Sequence, residues 1–211
     1  MSDWASIALR FGLYMDFMLL FGVALFGLYS LEGRERVSGA VLPFRPMLAG
    51  TRALGVLMSV ASMVLMASAM SGESDFAELH PHIEMMVLET DVGFAWVVRI
   101  IALVVGGSVV LLHQRAPVVS LSVATIAGGI ALASLAWSGH GAMDEGSRRY
   151  WHFAMDILHL LAAGAWLGAL VAFARMAMLD TLQTAESIKL LARVVNRFES
   201  VGALIVVVIT V

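Results

Sequence analysis

Long apolar runs separated by short polar connections decide what this chain can fold into. Five of them, at 4–30, 53–70, 94–112, 118–137 and 151–179, have about the 20 residues a helix needs to cross the hydrocarbon of a bilayer. A sixth, 201–211, is still apolar at the last residue, so the sequence is expected to stop inside a helix and to be part of a longer chain. In lipid each backbone N–H and C=O must find its partner within the protein, and an α-helix satisfies its own. The expected fold is therefore all-α: a polytopic transmembrane bundle of about six spans, the last incomplete, forming one domain over 1–211. The first run is expected to remain as a span, because acidic Asp3 stands where a leader would be basic and no small-residue cleavage site follows.

Composition narrows the chemistry. Hydrophobic residues make up 60% of the chain and charged ones 14%, against about 25% charged in soluble domains. A net charge of −3 offers no basic footprint for nucleic acid. The absence of cysteine excludes disulfides, thiolate metal sites and thiol catalysis. Any metal must be held by His, Met, Asp, Glu or backbone oxygen. No Gly-rich phosphate loop is present, which argues against an ATP-driven pump, and no residue set suggests an enzyme.

Basic residues fix the expected orientation. The first, third and fifth connections carry Arg34, Arg36, Arg45, Arg52, Arg115, Arg175, Lys189, Arg193 and Arg197, whereas the second and fourth carry Arg148 and Arg149 alone. Nine against two places the former in the cytoplasm and leaves the N-terminus, 71–93 and 138–150 outside. The polar stretch from Asp180 reads as a surface or linking helix before the sixth run.

The fifth run carries the most unusual pattern. His152, Met155, Asp156 and His159 fall within one arc of roughly 100° on a helix, and ionisable groups inside a span point to function. The two histidines are seven residues, about 10 Å, apart along the axis and cannot share one small ion. The i, i+4 pairs His152 with Asp156 and Met155 with His159 form two rungs instead. Imidazole with thioether suits copper, Cu(I) above all. Interhelical hydrogen bonding is the plainer role for the same residues. Gly164 and Gly168, on the other side of this helix, form a GxxxG pattern that invites close packing.

In the second outward connection, HPHIEMMVLE offers His80, His82, Met85 and Met86 beside Glu84 and Glu89, a set able to capture copper. An amphipathic helix packed through Ile83, Met86 and Val87 fits the same residues. His140 lies in the next outward connection. Met63, Met66 and Met70 line one face of the second run, where core filling is the favoured role. Arg10, Asp16 and Arg99 are charges within spans, for which pairing is expected: Arg99 with Asp16 or with Asp156.

Several segments are similar to the bacterial copper resistance protein D family. They are RFGLYMDFMLLFG near the start, TDVGFAWVVR around Trp96 and Arg99, SGHGA around His140, and DILHLLAAGAWLGAL around His159 and Trp166. The resemblance implies a protein of about eight spans in the bacterial inner membrane that binds copper and imports or transfers it from the periplasm. It also implies His140, His159, Trp96, Arg99 and Trp166 as residues of interest, and a periplasmic copper carrier of the CopC type as a partner beside membrane lipid. A b-type haem redox protein is the alternative, since histidines on neighbouring helices can ligate haem iron; a copper-delivery assembly factor is another.

Overall fold

Seven α-helices and no strand make up the computed structural model, which describes residues 3–39, 41–73, 75–138, 147–178 and 185–210. They are α1 (Asp3–Ser30), α2 (Phe44–Ser71), α3 (Phe76–Glu89), α4 (Asp91–Ser108), α5 (Pro117–Ala133), α6 (Ser147–Met178) and α7 (Ala185–Thr210). Short 3-10 turns extend α4 to Leu112 and α5 to Ser138. Among the described residues, α1, α2, α4 and α5 with their extensions, and α6 are long and apolar enough to cross a membrane.

Local chemistry sets the ends. Pro117 opens α5 at its first turn, where its missing N–H costs nothing. Gly72 closes α2 in the left-handed conformation (φ 77°) and donates its N–H to the Ser68 carbonyl at 2.9 Å. Thr90 serves two helices, its hydroxyl donating to the Met86 carbonyl of α3 (2.6 Å) and accepting from the Gly93 N–H of α4 (3.0 Å). The outward connection read as a loop is thus largely the helix α3, turned sharply into α4.

α1 is the hub, packed against α2, α5 and α6. Its Phe17, Leu20, Val23, Ala24 and Phe26 are fully enclosed. The contact with α6 is backbone on backbone. A Cβ added at Gly22 would overlap the Gly164 carbonyl oxygen, and one added at Gly168 would overlap Gly22. The GxxxG pattern therefore seats α6 on α1, where small residues let the two chains gain dispersion contact without side chains between them.

Two boundaries differ from those read in the sequence. α2 starts at Phe44, not near 53, because the polar residues of its first turns dilute the apolar signal without breaking the helix. The polar stretch and the sixth apolar run are one continuous helix, α7, docked on α6 and α1.

The base of α7 is latched by ions. Arg193 donates to both carboxylate oxygens of Glu35 (2.5 and 3.3 Å) and lies 3.6 Å from Glu32. Arg197 pairs with Glu32 and donates to the Ser30 carbonyl at 3.4 Å. Hydrogen bonding and the charge of Arg197 hold the Glu32 carboxyl below its ordinary value of 4.5.

Two outcomes are expected. Gly22→Ala should force α1 and α6 apart and destabilise the fold by about 1–3 kcal/mol, read as a lower Tm in detergent. A carboxyl with a depressed folded-state pKa stabilises above its unfolded value and loses that contribution as pH falls through the folded value. Acidification below pH 4.5 should accordingly loosen the α7 latch, seen as faster hydrogen exchange of α7 amides that Glu32→Gln reproduces at neutral pH.

Candidate functional site

Seating α6 through its glycines turns the opposite side of the helix away from the bundle. His152, Asp156 and His159 are all exposed there, and Met155 is half-buried. The helix is unbroken across these residues, so His152 lies one turn from Asp156 and Met155 one turn from His159. Phe153 packs edge-on against Trp137, ring centroids 4.3 Å apart, and steadies this end of α6 against α5. Further along the same side, α7 provides cover: Val201, Ile205 and Val208 pack against Ala162, Ala165 and Trp166, and Trp166 meets Phe198 edge-on at 5.6 Å. The polar rungs begin where that cover stops.

α3 sorts the residues of the second connection. Leu79 and Met86 are buried with Met63 and Ala67 of α2, and Ile83, Val87, Met66 and Trp96 pack around them. Met86 is thus part of an apolar seam, not of an exposed ligand set. His80, Glu84 and Met85 face outward, and His82 is half-buried. α3 packs on α2 and α4, whereas α6 packs on α1, α5 and α7, so the two ligand groups sit on different helices without a shared contact. Among the described residues no three His, Asp or Glu side chains come together to hold a metal ion. Each i, i+4 pair on α6 has two side chains with lone pairs, fewer than a complete coordination shell would need. His140 lies outside the described residues.

The charges within the spans have other partners than expected. Arg99, 6% exposed, donates from Nε to the Ser134 hydroxyl at 2.8 Å and from Nη2 to the Ser134 carbonyl at 3.4 Å, with its guanidinium 5.9 Å from the Phe17 ring centroid. It forms no ion pair with Asp16 or Asp156: a hydroxyl at the end of α5 and an aromatic face are what α4 packing presents to it. Asp16 is buried against Gly55 of α2, and its Oδ2 accepts no hydrogen bond. Arg10 is exposed, because the first turns of α1 extend beyond its packed middle.

Three contributors escaped the sequence reading. Ser134 was hidden among small residues and no pattern marked it. Arg52, assigned to a connection, is 4% exposed inside α2, its guanidinium against Gly106 of α4 and without an acceptor. Its signal was the spacing Phe44, Leu48, Arg52, Gly55, Ser59, Met63, Ala67, which is the buried stripe of α2. His113 is buried as a brace: its ring lies 5.8 Å from that of Phe44 and its Nε2 donates to the Arg36 carbonyl at 2.9 Å.

The helices long and apolar enough to cross a membrane define an all-α, multi-pass membrane protein, with imidazole, thioether and carboxylate side chains on one uncovered helix face. The model of the copper resistance protein D-like N-terminal domain matches residues 1–151. Copper resistance protein D of Pseudomonas syringae pv. tomato is 56% identical over 206 residues, 98% of this chain and 66% of that protein. Inner membrane protein YebZ of Escherichia coli (strain K12) is 30% identical over 167 residues, 78% of this chain and 55% of that one. The chain belongs to the copper resistance protein D family, and it spans just under two-thirds of the length of the first of these relatives and about half of the second. No solved structure matches it.

Removing the acceptor of a buried guanidinium costs more than an ordinary hydrogen bond. Ser134→Ala should destabilise the protein by about 1.5–3 kcal/mol, and Ser134→Thr should restore most of the loss in thermal unfolding.

Proposed function

We propose that this protein serves copper resistance by binding copper at the outer side of the bacterial inner membrane and passing it inward along α6. The observation that carries the reading is the uncovered face of α6: two rungs of soft and borderline donors, His152 with Asp156 and Met155 with His159, set in a span. Ionisable side chains on a lipid-depth face are costly unless they meet an ion or a polar partner. The donor set suits copper, and Met155 with His159 suits Cu(I) in particular. A spacing of about 10 Å between the histidines makes a sequence of stations more fitting than one closed site. The likeness to copper resistance protein D of Pseudomonas syringae supports the same reading.

In this reading the arginine-rich end, with Arg34, Arg36, Arg193 and Arg197, is cytoplasmic, and α3 faces the periplasm. His80 and Met85, exposed on α3 beside several carboxylates, raise the local concentration of cations before they reach α6. His152 forms the mouth, and His159 the deeper station. The aromatic seal of Trp166 and Phe198 below it marks where the ion must leave the α6 face.

His159→Ala tests this. Purified variant protein should bind copper at least about tenfold more weakly by metal analysis at equilibrium dialysis, and cells carrying it should lose copper accumulation relative to wild type. His152→Ala should weaken capture at the mouth and leave the deeper station loadable at high copper. Equal copper content and equal accumulation in wild type and His159→Ala would sink the proposal.

A further inference from the structure

On the side of α1 away from α6, a cavity of about 370 Å³ opens between the first turns of α1, the last turns of α2 and the start of α4. Its size lies at the small end of ligand pockets, about 300–1,000 Å³. Its walls are mostly apolar, with Leu13, Met63, Met66 and Trp96 among them, and two arginines reach it: Arg10 from α1 and Arg99 from α4. Ser6, Tyr14 and Ser62 add hydroxyls, and no carboxylate lines it. Trp96 is fixed in place by its Nε1–H, which donates to the Ser59 carbonyl at 2.9 Å.

Among the described residues the charge in this cavity has no carboxylate partner. Arg99 spends Nε and Nη2 on the neutral acceptors of Ser134, and among the described residues its Nη1 makes no hydrogen bond. Among the described residues neither arginine has a carboxylate within ion-pair distance. The nearest acid along α1, Asp16, is directed at Gly55 and is absent from the lining. A buried guanidinium, Arg99, and an exposed one at the rim, Arg10, repel a copper ion, so the thioethers of Met63 and Met66 are wall here and not a copper station. They attract an oxyanion instead, which a guanidinium binds in its planar fork.

We propose that this cavity is a binding site for an anionic amphiphile, its carboxylate or phosphate head held by Arg10 and Arg99 and its acyl tail laid along Leu13, Met63, Met66 and Trp96. The surrounding bilayer supplies that class of molecule, and the inference is independent of copper binding on α6.

The test uses the purified, delipidated protein in a non-ionic detergent, with radiolabelled laurate and dodecyl phosphate as probes. Both should be retained at equilibrium and raise the Tm, whereas dodecanol, acetate and inorganic phosphate should do neither. Arg10→Gln, a change at an exposed residue, should weaken retention of both probes by about tenfold or more, and Arg10→Lys should recover part of it. Dodecanol bound as tightly as laurate would reduce the cavity to an apolar crevice. Acetate or inorganic phosphate bound as tightly as the amphiphiles would remove the role of the tail. Undiminished retention by Arg10→Gln would overturn the assignment of the head site.

Discussion

The backbone contact between α1 and α6 is the constraint on which the remaining arrangement depends. Within a bilayer the lipid tails are as apolar as leucine, so helices gain little from hydrophobicity alone and associate through close packing. Gly22, Gly164 and Gly168 supply that closeness. Because α6 has one glycine side, seating it fixes its rotation, and rotation decides which residues face away. The His152–His159 arc is consequently a product of the glycine contact as much as of its own spacing. α7 then covers the lower part of the same face, held at its base by Arg193 and Arg197 on Glu32 and Glu35.

Charge is handled differently in each part of the bundle. At the base of α7, where water reaches, arginines meet carboxylates. Among the described residues within the bundle they do not: Arg99 meets one serine and an aromatic face, and Arg52 has no acceptor. Charge–neutral hydrogen bonding of this kind leaves a net field, and Arg99 projects it into the cavity it shares with Arg10. The same field separates two kinds of methionine. Met63 and Met66 line a cavity with guanidinium groups, whereas Met155 shares a helix face with His159, Asp156 and His152.

How much of this was legible in the sequence follows from the type of signal each feature leaves. Long apolar runs announce helices, and the arc of His152, Met155, Asp156 and His159 could be placed from 3.6-residue periodicity alone. The GxxxG pattern gave the seat of α6 but not its partner, since Gly22 is one small residue among many on α1. Arg52 shows why hydropathy misleads: the charge lowers the score of the turns around it, yet its spacing with Leu48, Gly55 and Ser59 belongs to the buried stripe. The partner of Arg99 was beyond reach for another reason. Opposite charge is a pattern visible in sequence, whereas a serine 35 residues away that happens to face α4 is a matter of three-dimensional packing.

The placement of α7 bears directly on how the α6 face could work. An ion held between Met155 and His159 has Ala162 and Trp166 as its next neighbours along the helix, and both are sealed by Val201, Ile205 and Phe198. Neither an alanine nor an indole edge offers a strong ligand for copper, so passage straight down this side of α6 meets an apolar plug. Transfer inward therefore requires either a donor from another element at the depth of His159 or a displacement of α7 from its seat. The second route has a structural handle. α7 is tied at its base by exposed ion pairs, which contribute little and respond to their surroundings, while its upper half rests on small-residue contacts with α6. Movement of α7 that lifts Val201, Ile205 and Phe198 off Ala162 and Trp166 would open the plug without disturbing the α1–α6 glycine seat.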